Sequence, residues 1–245
     1  MEDLTGNWVV AGNLVCAPGQ APAPSLEDMK AALLFAQLTA DAKYPGQRSS
    51  TQWFAEHDKA MIASKWIGLE FERHSFEPGA ADSVTIMSII ERFLLAGLAP
   101  AHAEAMRQAV ACLAGQPEGQ AQGMFNSFAL VGAAQEHSRH ASETETSVAL
   151  MVTVLKPDAV AECLWIAFIT TAHLTEDFLQ QSVVGAQLKS AVEARLFQRE
   201  WNAAGYATVR SKVEKYLGNR PATLIVPLAC AGHPEQDPAT TLNLT

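Results

Sequence analysis

Three groups of residues in this chain have the types that do chemistry. His137 and His140 stand three residues apart beside Glu136, Glu143 and Glu145, a set of imidazoles and carboxylates of the kind that binds zinc or copper. The stretch from Ala133 to Thr146 around them is polar and reads as a surface loop without rigid support, so a solvated loop is expected rather than a metal site. Glu70, Glu72 and His74, with His57 and Asp58 upstream, contain a general acid and a general base. They come with no nucleophile, and the alternation over 70–74 reads as an exposed helix end. Cys163 is the third candidate. A thiol acts as a nucleophile only in an electropositive, partly exposed niche. Cys163 follows Glu162 and opens an apolar strand, so a buried inert thiol is the default. The chain has no Gly-x-Ser-x-Gly elbow, no Gly-x-x-x-x-Gly-Lys loop and no His-Glu-x-x-His helix. No catalytic residue, metal ligand or dissociable cofactor is therefore assigned, and a non-enzymatic protein is expected.

Composition narrows the classes. The 245 residues carry 26 acidic and 17 basic side chains, a formal net charge of −9, with 49% apolar and 18% charged residues. That is too apolar for a disordered chain. It is too acidic for a general nucleic-acid binder, which needs a basic face, so nucleic acid is excluded as a partner. The start, Met1-Glu2-Asp3-Leu4, lacks the basic and apolar regions of a secretory signal. Synthesis in the cytoplasm is expected, with any release by a route that needs no signal peptide. No run of about 18 apolar residues is long enough to span a bilayer as a helix. Cys16, Cys112, Cys163 and Cys230 are widely spaced and match no zinc pattern, so free, buried thiols in a reducing cytosol are expected. Cys112 and Cys230 are given structural roles.

Period and turn chemistry give the elements. Gly6 to Cys16 reads as an interrupted strand, followed by a Pro/Gly/Ala linker to Pro24. Ser25 is placed to cap a helix that ends near Tyr44-Pro45-Gly46. A second helix is expected from Ser49-Ser50-Thr51 to about Leu69. A third begins at Asp82 or Ser83 and carries Ile86, Ile89, Ile90, Phe93 and Leu94, and a fourth follows Pro100 as far as Gly115, the two forming a hairpin. Met124 to Val131, Ser147 to Leu155 and Cys163 to Thr171 are rich in β-branched and aromatic residues and read as strands. In the last, both faces are apolar, which implies a central strand covered by helices on both sides. Lys156-Pro157-Asp158-Ala159 reads as the turn of an antiparallel hairpin. Thr175 to Leu217 reads as helical, Thr223 to Cys230 as an edge strand with Pro227, and 233–245 as a flexible tail. The fold class is α/β (α+β): one domain over 1–245, with a central, mainly antiparallel sheet wrapped by helical layers on both faces.

The order of these elements, two helices, an apolar helical hairpin and then long apolar strands, resembles the Cyt family of cytolytic δ-endotoxins and the Cyt-like virulence factor Evf. The local echoes are Ser50-Thr51-x-x-Phe54, Lys59-Ala60-Met61 and Gly68-Leu69-Glu70, then Ser83-Val84-Thr85-Ile86-Met87, then Glu162-Cys163-Leu164-Trp165. The resemblance spans roughly Pro24 to Thr171. It implies a bacterial toxin or virulence factor that acts on the membrane lipid of a host cell, with pore formation and homo-oligomerisation open. A helical layer would swing off the sheet, the candidate being Ile86 to Leu95 with Met106 to Leu113. The net charge would favour zwitterionic membranes. The likeness to Evf further implies S-acylation, a palmitate-type thioester, at the matching position Cys163, with Trp165, Phe168, Ile86, Ile90, Phe93 and Leu94 as lipid-facing or acyl-pocket residues and a covalently bound fatty acid as the one added group. The alternative is a soluble lipid-binding or small-molecule-binding domain with a preformed apolar cavity and no lytic activity.

Overall fold

The computed structural model describes residues 6–19, 23–116, 119–132 and 145–228. The chain opens with a hairpin, β1 (Gly6–Val10) and β2 (Asn13–Ala17), then α1 (Ala23–Lys43) and α2 (Thr51–Ala63). β3 (Trp66–Phe76) and a short β4 (Ser83–Val84) lead into α3 (Ile86–Phe93), a 3-10 turn, α4 (Pro100–Ala114) and α5 (Gln120–Ala129). β5 (Leu130–Gly132), β6 (Thr146–Leu155), β7 (Val160–Thr170), β8 (Val183–Val184) and β9 (Val192–Trp201) follow. The last described elements are α6 (Ala203–Ala207), α7 (Arg210–Leu217), α8 (Pro221–Leu224) and β10 (Ile225–Pro227).

One sheet runs in the order β10-β1-β2-β6-β7-β9-β3, with β5 added beside β6. Among the described strands of this sheet only β2 and β6 pair in parallel; the other pairs are antiparallel. β7 lies between β6 and β9, so it is the central strand expected from its two apolar faces, although it starts at Val160 and Cys163 is its fourth residue. The β6–β7 hairpin forms as its sequence requires. Pro157 and Asp158 occupy the turn, Ala159 takes a positive φ of 64°, and Lys156 N donates to Val160 O at 2.8 Å.

Side-chain alternation splits the core between the two faces of the sheet. Leu164, Ile166 and Phe168 of β7 join Val148, Leu150, Val152 and Val154 of β6 under α3, α4 and α5. Cys163, Trp165 and Ala167 join Met151, Phe197 and Trp201 under α1, α2 and α7. The two-sided coat expected from the sequence is present.

Several elements differ from the sequence expectation. The second helix stops at Ala63, where the Ser64 hydroxyl donates back to Ala60 O and Met61 O and Lys65 turns the chain at φ 73°. The residues from Trp66 onward then form an edge strand rather than a helix end. Met124 falls in α5, whose buried Ala121, Phe125 and Ala129 recur every fourth residue; only Leu130 to Gly132 is strand. The third helix begins after Thr85, because a reciprocal cap joins Ser88 N to Thr85 Oγ1 (3.0 Å) and Thr85 N to Ser88 Oγ (3.3 Å). The first helix already begins at Ala23, ahead of Ser25. The largest departure is Val192–Trp201, read as helix and found as a strand paired to both β7 and β3. Cys112 is disulfide-bonded, whereas Cys16 and Cys163 are free and buried. Wide sequence spacing says nothing of spatial proximity, so the expectation of free thiols fails at Cys112. The expectations for Cys230, for the tail and for His137, His140, Glu136 and Glu143 fall outside the described residues.

Candidate functional site

The two helical coats differ in how they are held. Beneath α1 and α2 the interface is rich in buried polar groups. Gln37 of α1 donates from Nε2 to Val10 O (2.8 Å) and accepts from Gly12 N (3.3 Å), which clips the helix to the β1–β2 turn. Arg48 Nε donates to Asp41 Oδ1 (2.8 Å), and the same oxygen accepts from Trp53 Nε1 (2.8 Å). Arg195 of β9 donates to Thr51 Oγ1 (3.1 Å), with its guanidinium 4.5 Å over the Phe54 ring and 4.8 Å over Trp165. Arg199, four residues along on the same face of β9, pairs with Asp58 of α2. Charge-assisted and stacked contacts of this kind have directional geometry, and breaking one strands a buried partner.

His57 lies at the centre of this layer. It is fully buried, its ring is stacked 5.3 Å from Trp53, and neither ring nitrogen has a hydrogen-bond partner. Burial first, and then the charges of Arg48 and Arg199, push its pKa down from 6.5 to about 3. A neutral imidazole is therefore locked on the buried face of α2 at physiological pH.

Cys163 is in the same layer. Its thiol is fully buried, faces the Thr153 hydroxyl at 3.5 Å, and is pushed up to about 12 chiefly by desolvation. The Thr153 contact and the Arg199 charge act in the opposite, smaller sense. With the coat closed the sulfur is a protonated, inaccessible thiol.

The opposite coat is dry. Ile86, Ile89, Ile90, Leu94 and Leu95 from the α3 region and Met106, Val110 and Leu113 from α4 are all buried on this face, α3 packing on β7 and β9 and α4 on β2. The α3 backbone is tied at one end, where Met87 N donates to Leu179 O at 2.9 Å. Arg107 of α4 reaches Glu91 of α3 at 3.6 Å, so the two helices are linked to each other across an exposed face. The buried polar residues on this side of the sheet lie at its margins: Gln122 on α5, bonded to Glu176 O at 2.8 Å, Glu162 with Lys156 at 3.1 Å, and Thr170 with Gln187 O at 3.0 Å.

The residues singled out from the sequence are thus divided by the sheet. Phe168, Ile86, Ile90 and Leu94 share the dry face, with Phe93 half-buried beside them and stacked 4.4 Å from His74. Cys163 and Trp165 face the other way, under α2. The acid–base candidates are not brought together either. His57 is sealed on the buried face of α2 and Asp58 is paired with Arg199. Glu70, Glu72 and His74 alternate on the far face of β3, where His74 Nε2 meets Glu72 Oε2 at 3.1 Å. Among the described residues no three His, Cys, Asp or Glu side chains are grouped to hold a metal, and no helix is long and apolar enough to cross a membrane. A shallow polar cleft of about 240 Å³, lined by Glu77, Pro78, Leu188, Lys189 and Ser190, lies near the end of β3, away from both sets. Sequence reasoning missed Arg195 and Arg199. Their signal was the spacing Arg195-x-Phe197-x-Arg199, which places two guanidiniums and a ring on one face of a strand.

No protein-family model and no curated protein sequence matches the chain. Among solved structures its fold is similar to a delta-endotoxin, with TM-score 0.44, 14% identity and coverage of 78% of this chain and 83% of that one. It is similar to the activated Cyt2Ba monomer from Bacillus thuringiensis subsp. israelensis, with TM-score 0.42, 9% identity and coverage of 79% and 98%. It is also similar to the Evf virulence factor, with TM-score 0.34, 12% identity and coverage of 87% and 82%.

Proposed function

We propose that this protein is a non-enzymatic, toxin-like, membrane-interacting protein whose α3–α4 coat leaves the sheet to engage lipid while the α1–α2 coat stays closed. The observation that carries this reading is the contrast between the two coats. One is clipped to the sheet by Gln37, Arg195 and Arg199; the other rests on eight large apolar side chains and few polar ties. Exposing those eight to water costs roughly 1.5–3 kcal/mol each, or about 12–24 kcal/mol in all, which keeps the coat shut in solution. Transfer into hydrocarbon is different, since core and lipid are both dry and the apolar term nearly cancels. Detaching the polar coat would in addition leave Arg195, Arg199 and His57 without their surroundings. The net charge of −9 makes a zwitterionic surface the favoured target, because an anionic one repels the chain.

The test is flotation and dye release with phosphatidylcholine vesicles, repeated with vesicles containing phosphatidylserine. Binding to the neutral vesicles and weaker binding to the charged ones is expected. Failure to bind neutral vesicles at any protein-to-lipid ratio overturns the proposal. A fatty acyl thioester on Cys163 is the finer part of the same reading. Because the closed coat buries that sulfur, acylation would have to occur before the α1–α2 layer closes. Intact-mass measurement of protein from a bacterial host, with Cys163→Ser alongside, decides it: an acyl increment lost in the variant supports the thioester, and an unmodified parent mass removes it.

A further inference from the structure

Among the described residues, the last strand of the sheet on the side opposite β10 is β3, eleven residues paired on one side only, with β9. Its other edge presents a row of backbone donors and acceptors. Proteins blunt such edges with lysine, proline, short length or a covering element. Between Trp66 and Phe76 there is neither Lys nor Pro, and Ile67, Leu69 and Phe71 remain 46%, 49% and 52% exposed. The irregularity between Gly68 and Glu70 leaves Glu70 to His74 as a regular, bulge-free run.

We propose that this edge pairs with the same edge of a second copy, antiparallel, about a two-fold axis at Glu72. Side-chain alternation puts the axis on a residue, and the charges along β3 favour Glu72 over Phe71. In an antiparallel pair, opposed residues share a face, so the axis must fall on a residue. Centred on Phe71, the pairing sets Glu70 against Glu72 twice, four like charges at close range. Centred on Glu72, Glu70 of each copy meets the His74 imidazole of the other, and Phe71 of each meets the Arg73 side chain of the other, whose guanidinium is also bonded to its own Glu193 at 3.1 Å. Opposite-charge, hydrogen-bonding and cation–π pairs across strands each stabilise by up to about 1 kcal/mol. The Phe71–Arg73 pairs lie on the α2 side, since Phe71 opposes Phe197 and Arg73 opposes Arg195 in the monomer. The Glu70–His74 pairs lie on the other side. One like-charge meeting remains, Glu72 with its symmetry mate, each already bonded to its own His74. The sheet would then continue through both copies, with β3 no longer an edge.

The contact is a strand edge with a narrow apolar fringe, smaller than a standard stable interface. A concentration-dependent monomer–dimer equilibrium is therefore expected from sedimentation velocity of the full chain. Replacing Glu72 by Gln removes the on-axis repulsion and should tighten the dimer several-fold, an effect that a merely structural role for Glu72 would not give. Register is read by oxidative cross-linking. Glu72→Cys places two sulfurs on the axis and should give a covalent dimer. Glu70→Cys, which faces His74 instead of its own mate, should not. A chain that stays monomeric at every concentration, with Glu72→Gln as well, overturns the proposal. Cross-linking of Glu70→Cys as readily as Glu72→Cys overturns the register on which it is built. Neither outcome bears on vesicle binding, which tests the α3–α4 coat alone.

Discussion

His57 makes the stability of this protein depend on pH in a way that can be worked from its surroundings. In the folded chain its pKa is about 3, against 6.5 for an ordinary imidazole. The group is basic and its folded value is depressed, so above pH 6.5 it is neutral in both states and costs nothing. As pH falls below 6.5 the unfolded chain takes up a proton that the folded chain refuses, and stability is lost down to about pH 3. Each pH unit in that window is worth about 1.4 kcal/mol, so His57 alone should remove roughly 2 kcal/mol between pH 6.5 and pH 5. The groups that face it are the Arg48 and Arg199 cations and the Trp53 and Phe54 rings. None of these offers the ring a compensating acceptor. The assay is urea unfolding followed by far-UV circular dichroism at pH 7.5 and pH 5.0, for the parent and for His57→Leu. The variant fills similar volume with no titratable group and no unpaired nitrogen. Its loss of stability on acidification should be smaller than the parent's by roughly 2 kcal/mol. An identical loss in both proteins would refute the reasoning and show that the ring finds a partner for its proton inside the fold.

Other outcomes follow from the same structure. Cys163 should resist a thiol-reactive probe in native buffer and react at once in urea, because burial holds its pKa near 12; rapid native labelling would show that the α1–α2 coat opens. Asp58→Ala should destabilise by about 1–3 kcal/mol in denaturant titration, below the fully buried range because the Asp58 carboxylate is about a third exposed. Leu164→Ala, in the middle of the dry face, should cost about 2–5 kcal/mol, with no change in the pH dependence that His57 sets. Gly218 ends α7 at φ 55° and ψ −127°, a conformation that side chains disfavour, so Gly218→Ala should cost about 1–3 kcal/mol in thermal unfolding although nothing crowds the site.

The sheet's centre was readable because β6 and β7 are buried on both faces and therefore carry unbroken runs of β-branched and aromatic residues. The Pro157-Asp158 turn between them fixed the hairpin. The strands on the open side of β7 were not readable for the opposite reason. β9 points Arg195 and Arg199 inward, so its apolar alternation is interrupted on its core-facing side, and a helix pattern fitted equally well. β3 is solvated on both sides, which leaves Glu70, Glu72 and Arg73 with no period to obey. In α5, Gly123, Asn126 and Ser127 hide the four-residue spacing of Ala121, Phe125 and Ala129. The candidate site shared this fate. His57 and Cys163 were visible as residue types, but their common burial depends on α2 crossing β7 and β9, a long-range contact with no local signature. The resemblance to the Cyt family brought out the α3 helix and Cys163 together, whereas the sheet places them on opposite faces.

The central claim is that lipid opens the α3–α4 coat and leaves the α1–α2 coat shut, and the five tryptophans report on it directly. Trp8, Trp53, Trp66, Trp165 and Trp201 all pack on the α1–α2 side. Acrylamide quenching of the parent and of Phe93→Trp should be measured at pH 7.4 with and without phosphatidylcholine vesicles. The account predicts that the five native rings stay equally shielded while the added ring on α3 moves into a lipid environment with a blue-shifted emission. Exposure of the native tryptophans, with no change at position 93, would contradict it.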